Sequence, residues 1–177
     1  SFIYLSFIFH FIFPFHSSFQ VLIMNSIDSL ISNLDQKTKT TWALDCAEHV
    51  LPLFEELYPD DSRLREAVFV GRAWVLGNAG FSEIQKATVA AHNVARDIIL
   101  TDFSSRGWDP VSEGSGLEGA ACAVARAVGQ AVAAADKEAH TLSAASYAVK
   151  AVFFKTESDA AVKEEREWQR NQLKKYV

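Results

Sequence analysis

The stretch Leu117–Phe154, LEGAACAVARAVGQAVAAADKEAHTLSAASYAVKAVFF, decides the fold. Its first half is dense in alanine, the strongest helix former. Leu117, Ala121, Val124, Val128, Ala131 and Ala135 step by three and four, so they line one face of a helix. The opposite face carries Gly119, Cys122, Arg126, Gly129 and Ala133, all small apart from Arg126. A helix that is apolar on one side and nearly bare on the other can be approached closely from both. The pattern predicts the central helix of an all-α domain: a single compact bundle or short α-solenoid of about six to seven helices around an alanine-rich rod.

Composition narrows the partners. The chain has 177 residues, enough to bury a real core, and its formal net charge of −5 argues against nucleic acid as a general partner. Cys46 and Cys122 fall on predicted inner helix faces, which reads as free core thiols without a disulfide framework. Ser1–Ile23 is rich in Phe and Ile and lacks Asp, Glu, Lys and Arg. Its apolar run is interrupted by His10, Pro14 and His16, and no basic segment precedes it. We read residues 1–23 as a leader outside the fold and residues 24–177 as the helical domain. A membrane is a partner only if residues 1–23 are kept as an anchor; otherwise a cytoplasmic protein is expected.

The remaining punctuation is helical. Ser26 can cap a short helix reaching Leu34, and Asp35–Thr40 then reads as a linker. A longer helix follows with Trp42, Cys46, Val50, Leu53 and Leu57 on one face, and Pro52 predicts a kink or break near His49–Leu51. An Asp or Ser62 caps the next helix, whose inner stripe is Leu64, Val68, Gly71 and Val75, and Gly77–Gly80 stops it. Ser82 and Gln85 form a capping box for a helix through Ala87, Ala91, Val94 and Ile98 to about Leu100, followed by a polar loop, Thr101–Ser115. After the central helix, Asp136–Lys137 makes a turn. Thr156 and Asp159 fit a second capping box, before a charged helix with a thin apolar seam of Val162, Gln169 and Leu173 around Trp168.

Chemical motifs are weak. Gly114–Gly119 matches G-x-G-x-x-G, but a turn precedes it where a dinucleotide site needs a strand, and Ser115 with Glu118 fits a helix cap. His49, His92 and His140 sit on three helices without metal-ligand spacing, so no metal and no cofactor are expected. Cys46 and His49 are one turn apart, but no orienting group or oxyanion donor completes a nucleophile. Neither feature indicates an enzyme.

Polar residues inside apolar helices are more informative. Arg72, His92, Arg96, Arg126, Gln130, His140 and Tyr147 all interrupt such stretches. A guanidinium among small residues needs an acceptor, and Asp45, Glu48 or Asp97 could supply one. These groups fit either inter-helix polar pairs that fix packing or a groove for a ligand or partner. The loop residues Trp108, Asp109 and Glu113 add a possible aromatic and acidic contact surface.

Six strings recur in a familiar order: WALDCAEHVLPLFEELYPDD (Trp42–Asp61), GRAW (Gly71–Trp74), AAHNVAR (Ala90–Arg96), AVGQAVAAA (Ala127–Ala135), AASYAVKAV (Ala144–Val152) and EREWQRNQL (Glu165–Leu173). Together they resemble the immunity proteins of bacterial polymorphic toxin systems, in the immunity-protein-five-like family. The resemblance spans roughly Thr41–Leu173. It implies an all-α fold and a non-enzymatic protein that binds a cognate toxin and blocks it. Two features depart from the resemblance: Asp136 stands where a second His is expected after the alanine run, and the 102–113 loop is longer than the usual link. The alternative reading is a small-ligand- or metal-binding helical protein, possibly an enzyme, that uses His92, Arg96, Arg126 and His140.

Overall fold

The computed structural model describes residues 27–106 and 116–177. Residues 1–23, read from the sequence as a leader, the boundary expected at Met24 and the cap expected at Ser26 lie outside the described residues. Among those described, the chain is all helix with no strand, as the alanine-rich stretch predicts. Short α1 covers residues 27–31. It is followed by α2 (Gln36–Glu55), α3 (Arg63–Val75), α4 (Phe81–Arg106), α5 (Gly116–Ala133), α6 (Ala139–Thr156) and α7 (Asp159–Leu173).

Helix α5 is the hub: it packs against α2, α3, α4 and α6. Ala121, Val124, Val128, Ala131 and Ala135 are buried, as their spacing requires. Leu117 departs from that stripe. It lies in the first turn of α5 and is 47% exposed, beyond the reach of the core. The small side chains let neighbouring helices press on both flanks. One close approach is visible at Gly129, where an added Cβ would lie 2.8 Å from the His92 imidazole of α4. A second is at Gly71 of α3, where an added Cβ would lie 2.8 Å from buried Leu44 of α2.

Several helix ends differ from the sequence expectation. Asp35–Thr40 is not a linker. Asp35 caps α2, its Oδ1 accepting from the Thr38 N–H at 2.9 Å, so the helix starts at Gln36. Helix α2 also runs unbroken through Pro52. The proline falls three residues before the helix's last residue, Glu55, where its missing N–H removes only one late hydrogen bond, and its carbonyl still accepts from Glu56 at 3.0 Å. Asp61 supports the start of α3 by accepting from the Arg63 N–H at 3.1 Å. Gly77 stops α3 with φ +81°, and the paired bonds from Asn78 to Ala73 and from Gly77 to Trp74 form a Schellman motif.

The two predicted capping boxes are displaced. Helix α4 begins at Phe81, and the Glu83 carboxylate reaches back to the Gly80 N–H at 2.5 Å, so Ser82 and Gln85 are already inside the helix. Helix α7 is capped by Ser158, which accepts from the Ala161 N–H at 3.3 Å; Thr156 instead closes α6. Helix α4 continues to Arg106, six residues past its predicted end, because TDFSSR holds no Gly or Pro to stop it. At the other end of α5, the Gln36 side-chain amide donates to the Ala134 and Ala135 carbonyls at 3.2 and 2.9 Å, satisfying groups the helix leaves open.

Candidate functional site

The polar groups that the sequence singles out divide into three places. The first surrounds Asp45 on α2, whose side chain is 12% exposed. Arg72 of α3 donates from Nη2 to Asp45 Oδ1 at 2.6 Å, pairs also with Glu48, and donates to the Thr41 carbonyl at 3.3 Å. Burial opposes the charge of Arg72, but the two carboxylates outweigh it and hold the guanidinium firmly protonated. The other oxygen of Asp45 accepts from Gln172 at 2.8 Å and from the Tyr176 hydroxyl at 2.5 Å. Burial, then the Asp45 carboxylate, pushes the Tyr176 phenol up to about 12. Of the three acceptors offered for the inner guanidiniums, Asp45 and Glu48 meet Arg72, which fixes α2 against α3, and Asp97 meets Arg63 instead.

The second place joins α2 to α7. His49 Nδ1 donates to Glu165 Oε2 at 2.8 Å, and its ring stacks on Trp168. Glu165 Oε1 accepts from Gln169 at 2.8 Å, the Gln169 amide also donates to the Ala145 carbonyl at 3.0 Å, and the Trp42 indole donates to the Gln169 carbonyl at 2.9 Å. Sequence reading missed Glu165 and Arg166 as buried residues. Their signal was present: with Val162, Gln169 and Leu173 they complete one helical stripe. Cys46 sits nearby, fully buried, and burial pushes its thiol well above the usual value. Burial and a raised pKa both disfavour a thiolate at Cys46. Cys122, expected inside, is only half-buried and lies 3.8 Å from the Ala95 carbonyl.

The third place is the outer face formed by α4, α5 and α6. Here the fold gathers His92, Arg126, Gln130, His140 and Tyr147, all half-buried. Bare Gly129 lets the His92 imidazole lie directly on the α5 backbone. His140 Nδ1 donates to Gln130 Oε1 at 2.7 Å. The Arg126 guanidinium lies 5.8 Å from the centre of the Tyr147 ring, and Lys150 Nζ lies 5.0 Å from it. Burial, then Arg126 and His140, lowers the His92 pKa; burial, then Lys137, lowers that of His140, with Asp136 opposing. Arg126 and Lys150 give this half-buried face two cations.

Arg96 is exposed on α4, one helical turn from His92. Arg72 is engaged elsewhere, at Asp45. Trp108, Asp109 and Glu113 lie outside the described residues, as does most of the stretch preceding Gly116 in the G-x-G-x-x-G match. Among the described residues, no group of three or more His, Cys, Asp or Glu side chains is placed to hold a metal ion. No helix among them is long and apolar enough to cross a membrane.

Comparison with known families gives one result. The family model described as Imm-5 like putative immunity protein matches residues 29–103 and 116–176. The match takes in all three polar clusters. No curated protein and no solved structure matches the chain.

Proposed function

We propose, from the premise that the chain belongs to this Imm-5 like family, that it is an immunity protein that neutralises a cognate toxin by binding it, with no bond-making chemistry of its own. The observation that carries this reading is the family match, which runs through both helical blocks and covers the α2–α3 and α5–α7 packing alike. The arrangement of polar groups agrees with it. Cys46 is sealed and protonated, His49 is held by a buried carboxylate and an indole, and Arg72 is neutralised by two carboxylates. Each group is engaged in holding helices together.

The partner is a protein, the toxin, and the site of action is the cytoplasm, where a cell needs protection from its own or a neighbour's toxin. A binding role needs a rigid surface more than a reactive one, and a helix hub packed on four sides supplies it.

Capture with the full chain as bait, followed by growth assays, tests this. The expected result is one protein that arrests growth when produced alone and becomes harmless when this chain is co-produced. A captured protein whose toxicity persists in the presence of this chain would refute the reading.

A further inference from the structure

The arginines on α3 are matched by carboxylates. Arg63 meets Asp61 at 2.7 Å and Asp97 at 2.8 Å, Arg65 meets Glu55 at 2.5 Å, and Arg72 meets Asp45 and Glu48. Arg126 on α5 is different. It is half-buried, yet no carboxylate of the described residues lies within ion-pair distance of its guanidinium. What surrounds it carries no carboxylate: it hydrogen-bonds the Tyr147 and Cys122 side chains, shares the Tyr147 ring with Lys150, and faces His92 of α4, with His140 beyond that imidazole.

Burial opposes the Arg126 charge, and hydrogen bonds to Tyr147 and Cys122 outweigh it and keep the guanidinium protonated, yet among the described residues no carboxylate balances that charge. Two imidazoles beside it would add to the repulsion on protonation, so the cluster stabilises itself only by staying neutral at the histidines. A counter-anion removes that conflict. Gln130 accepts from His140 Nδ1 and so fixes which ring nitrogen of a neutral His140 is left unprotonated; an imidazolium would offer a second N–H there.

We infer that Arg126, with His92, His140 and Lys150 around it, forms a seat for one small oxyanion of the carboxylate or phosphate class on the α4–α5–α6 face. The guanidinium gives a planar fork suited to two oxygens, and the imidazoles become additional donors as they protonate. The anion arrives either free in solution or as an acidic side chain on a protein partner. The seat does not depend on the immunity reading, since small probes test it without any toxin.

Binding should strengthen as pH falls. The groups facing the histidines set that dependence: His92 faces Arg126 and His140, while His140 faces Lys137 and, as the one opposing carboxylate, Asp136. Protonation of the two rings adds positive charge at the seat, so an anion and protons bind cooperatively.

NMR titration of the full chain at pH 6, at constant ionic strength with chloride as the background salt, tests the seat with two probes: inorganic phosphate and N-acetyl-glutamate amide. The expected result is a saturating shift of the His92 and His140 ring signals for at least one probe, with affinity falling at least tenfold in Arg126→Gln. Saturation by phosphate alone assigns a phosphate-class anion from solution, and saturation by the glutamate amide assigns a side-chain carboxylate as the occupant. Lys150→Gln, at a half-exposed site, serves as the second variant and should weaken binding severalfold while leaving the thermal midpoint unchanged. Linear, non-saturating shifts with both probes, or equal affinity in wild type and both variants, would overturn the inference.

Discussion

His49 lies face to face on Trp168, with ring centroids 3.7 Å apart and planes 5° from parallel. The stack clamps α2 to α7 while the same imidazole satisfies Glu165, a carboxylate with 2% side-chain exposure. His49→Ala removes both at once and leaves a buried carboxylate short of a donor. The expected loss is about 2 kcal/mol in urea unfolding. Glu165→Gln added to His49→Ala should cost less than the two single losses summed, because the orphaned charge is gone. Strict additivity in that double-mutant cycle would show the two side chains to be uncoupled.

Asp45 gathers Arg72, Gln172 and Tyr176 at one carboxylate. Burial, then the Asp45 carboxylate, raises the Tyr176 phenol; Asp45→Asn removes the second cause only, so its pKa should fall part of the way from about 12 toward the ordinary value of 10.0. Ultraviolet titration of the phenols reads this directly. The same variant should lose roughly 2 kcal/mol of stability, since Arg72 keeps only Glu48 as its carboxylate partner.

Two glycines give opposite expectations for alanine. At Gly71 the new methyl would meet Leu44, which is fully buried and cannot retreat, so Gly71→Ala should destabilise by about 1–3 kcal/mol despite better helix propensity. At Gly129 the new methyl would meet the His92 ring, which is only half-buried and can swing outward. Gly129→Ala should change stability by less than about 1 kcal/mol, because alanine's propensity gain offsets the displacement. It should nonetheless move the His92 ring signals. Denaturant midpoints and histidine NMR separate the two outcomes.

Acid should weaken the fold through α4 and α6. His92 and His140 have folded pKa values below their ordinary 6.5, so the unfolded chain binds protons that the native chain resists. Their contribution is complete above pH 6.5 and is lost as pH falls from there through the folded values. Unfolding free energy measured between pH 7 and 5 should therefore decline, and His92→Gln should flatten the decline.

Thiol labelling should separate the cysteines. Cys122 is half-buried and should react in the native protein, whereas Cys46 is fully buried with its thiol held protonated and should react only on unfolding. Native labelling of Cys46 at a rate near that of Cys122 would contradict the burial described.

Helical spacing made much of this fold legible. The stripe from Ala121 to Ala135 lies inside, and two of the three carboxylates offered to the inner guanidiniums, Asp45 and Glu48, meet Arg72. Periodicity reports which face is covered, and it succeeded where the cover is apolar. It could not report helix ends, because Asp35, Gly80 and Ser158 compete locally with equally good capping residues next to them. It also undervalued α7, whose inward stripe carries Glu165, Arg166 and Gln169: charged side chains look solvent-facing until their partners on α2 and α6 are known. His92, Arg126 and His140 form one candidate set in the sequence because each interrupts an apolar stretch; where they sit relative to one another depends on three helices meeting, which no local pattern encodes.

The earliest long helix and the last are tied by side chains 127 and 131 positions apart, at Trp42 with Gln169 and at Asp45 with Tyr176. During synthesis, then, α2 must wait for almost the whole downstream chain before its indole and carboxylate find their mates. Until α7 emerges, the half-made protein exposes an unsealed seam to chaperones and proteases, and a ribosome that stops short of Glu165 releases a product that cannot close.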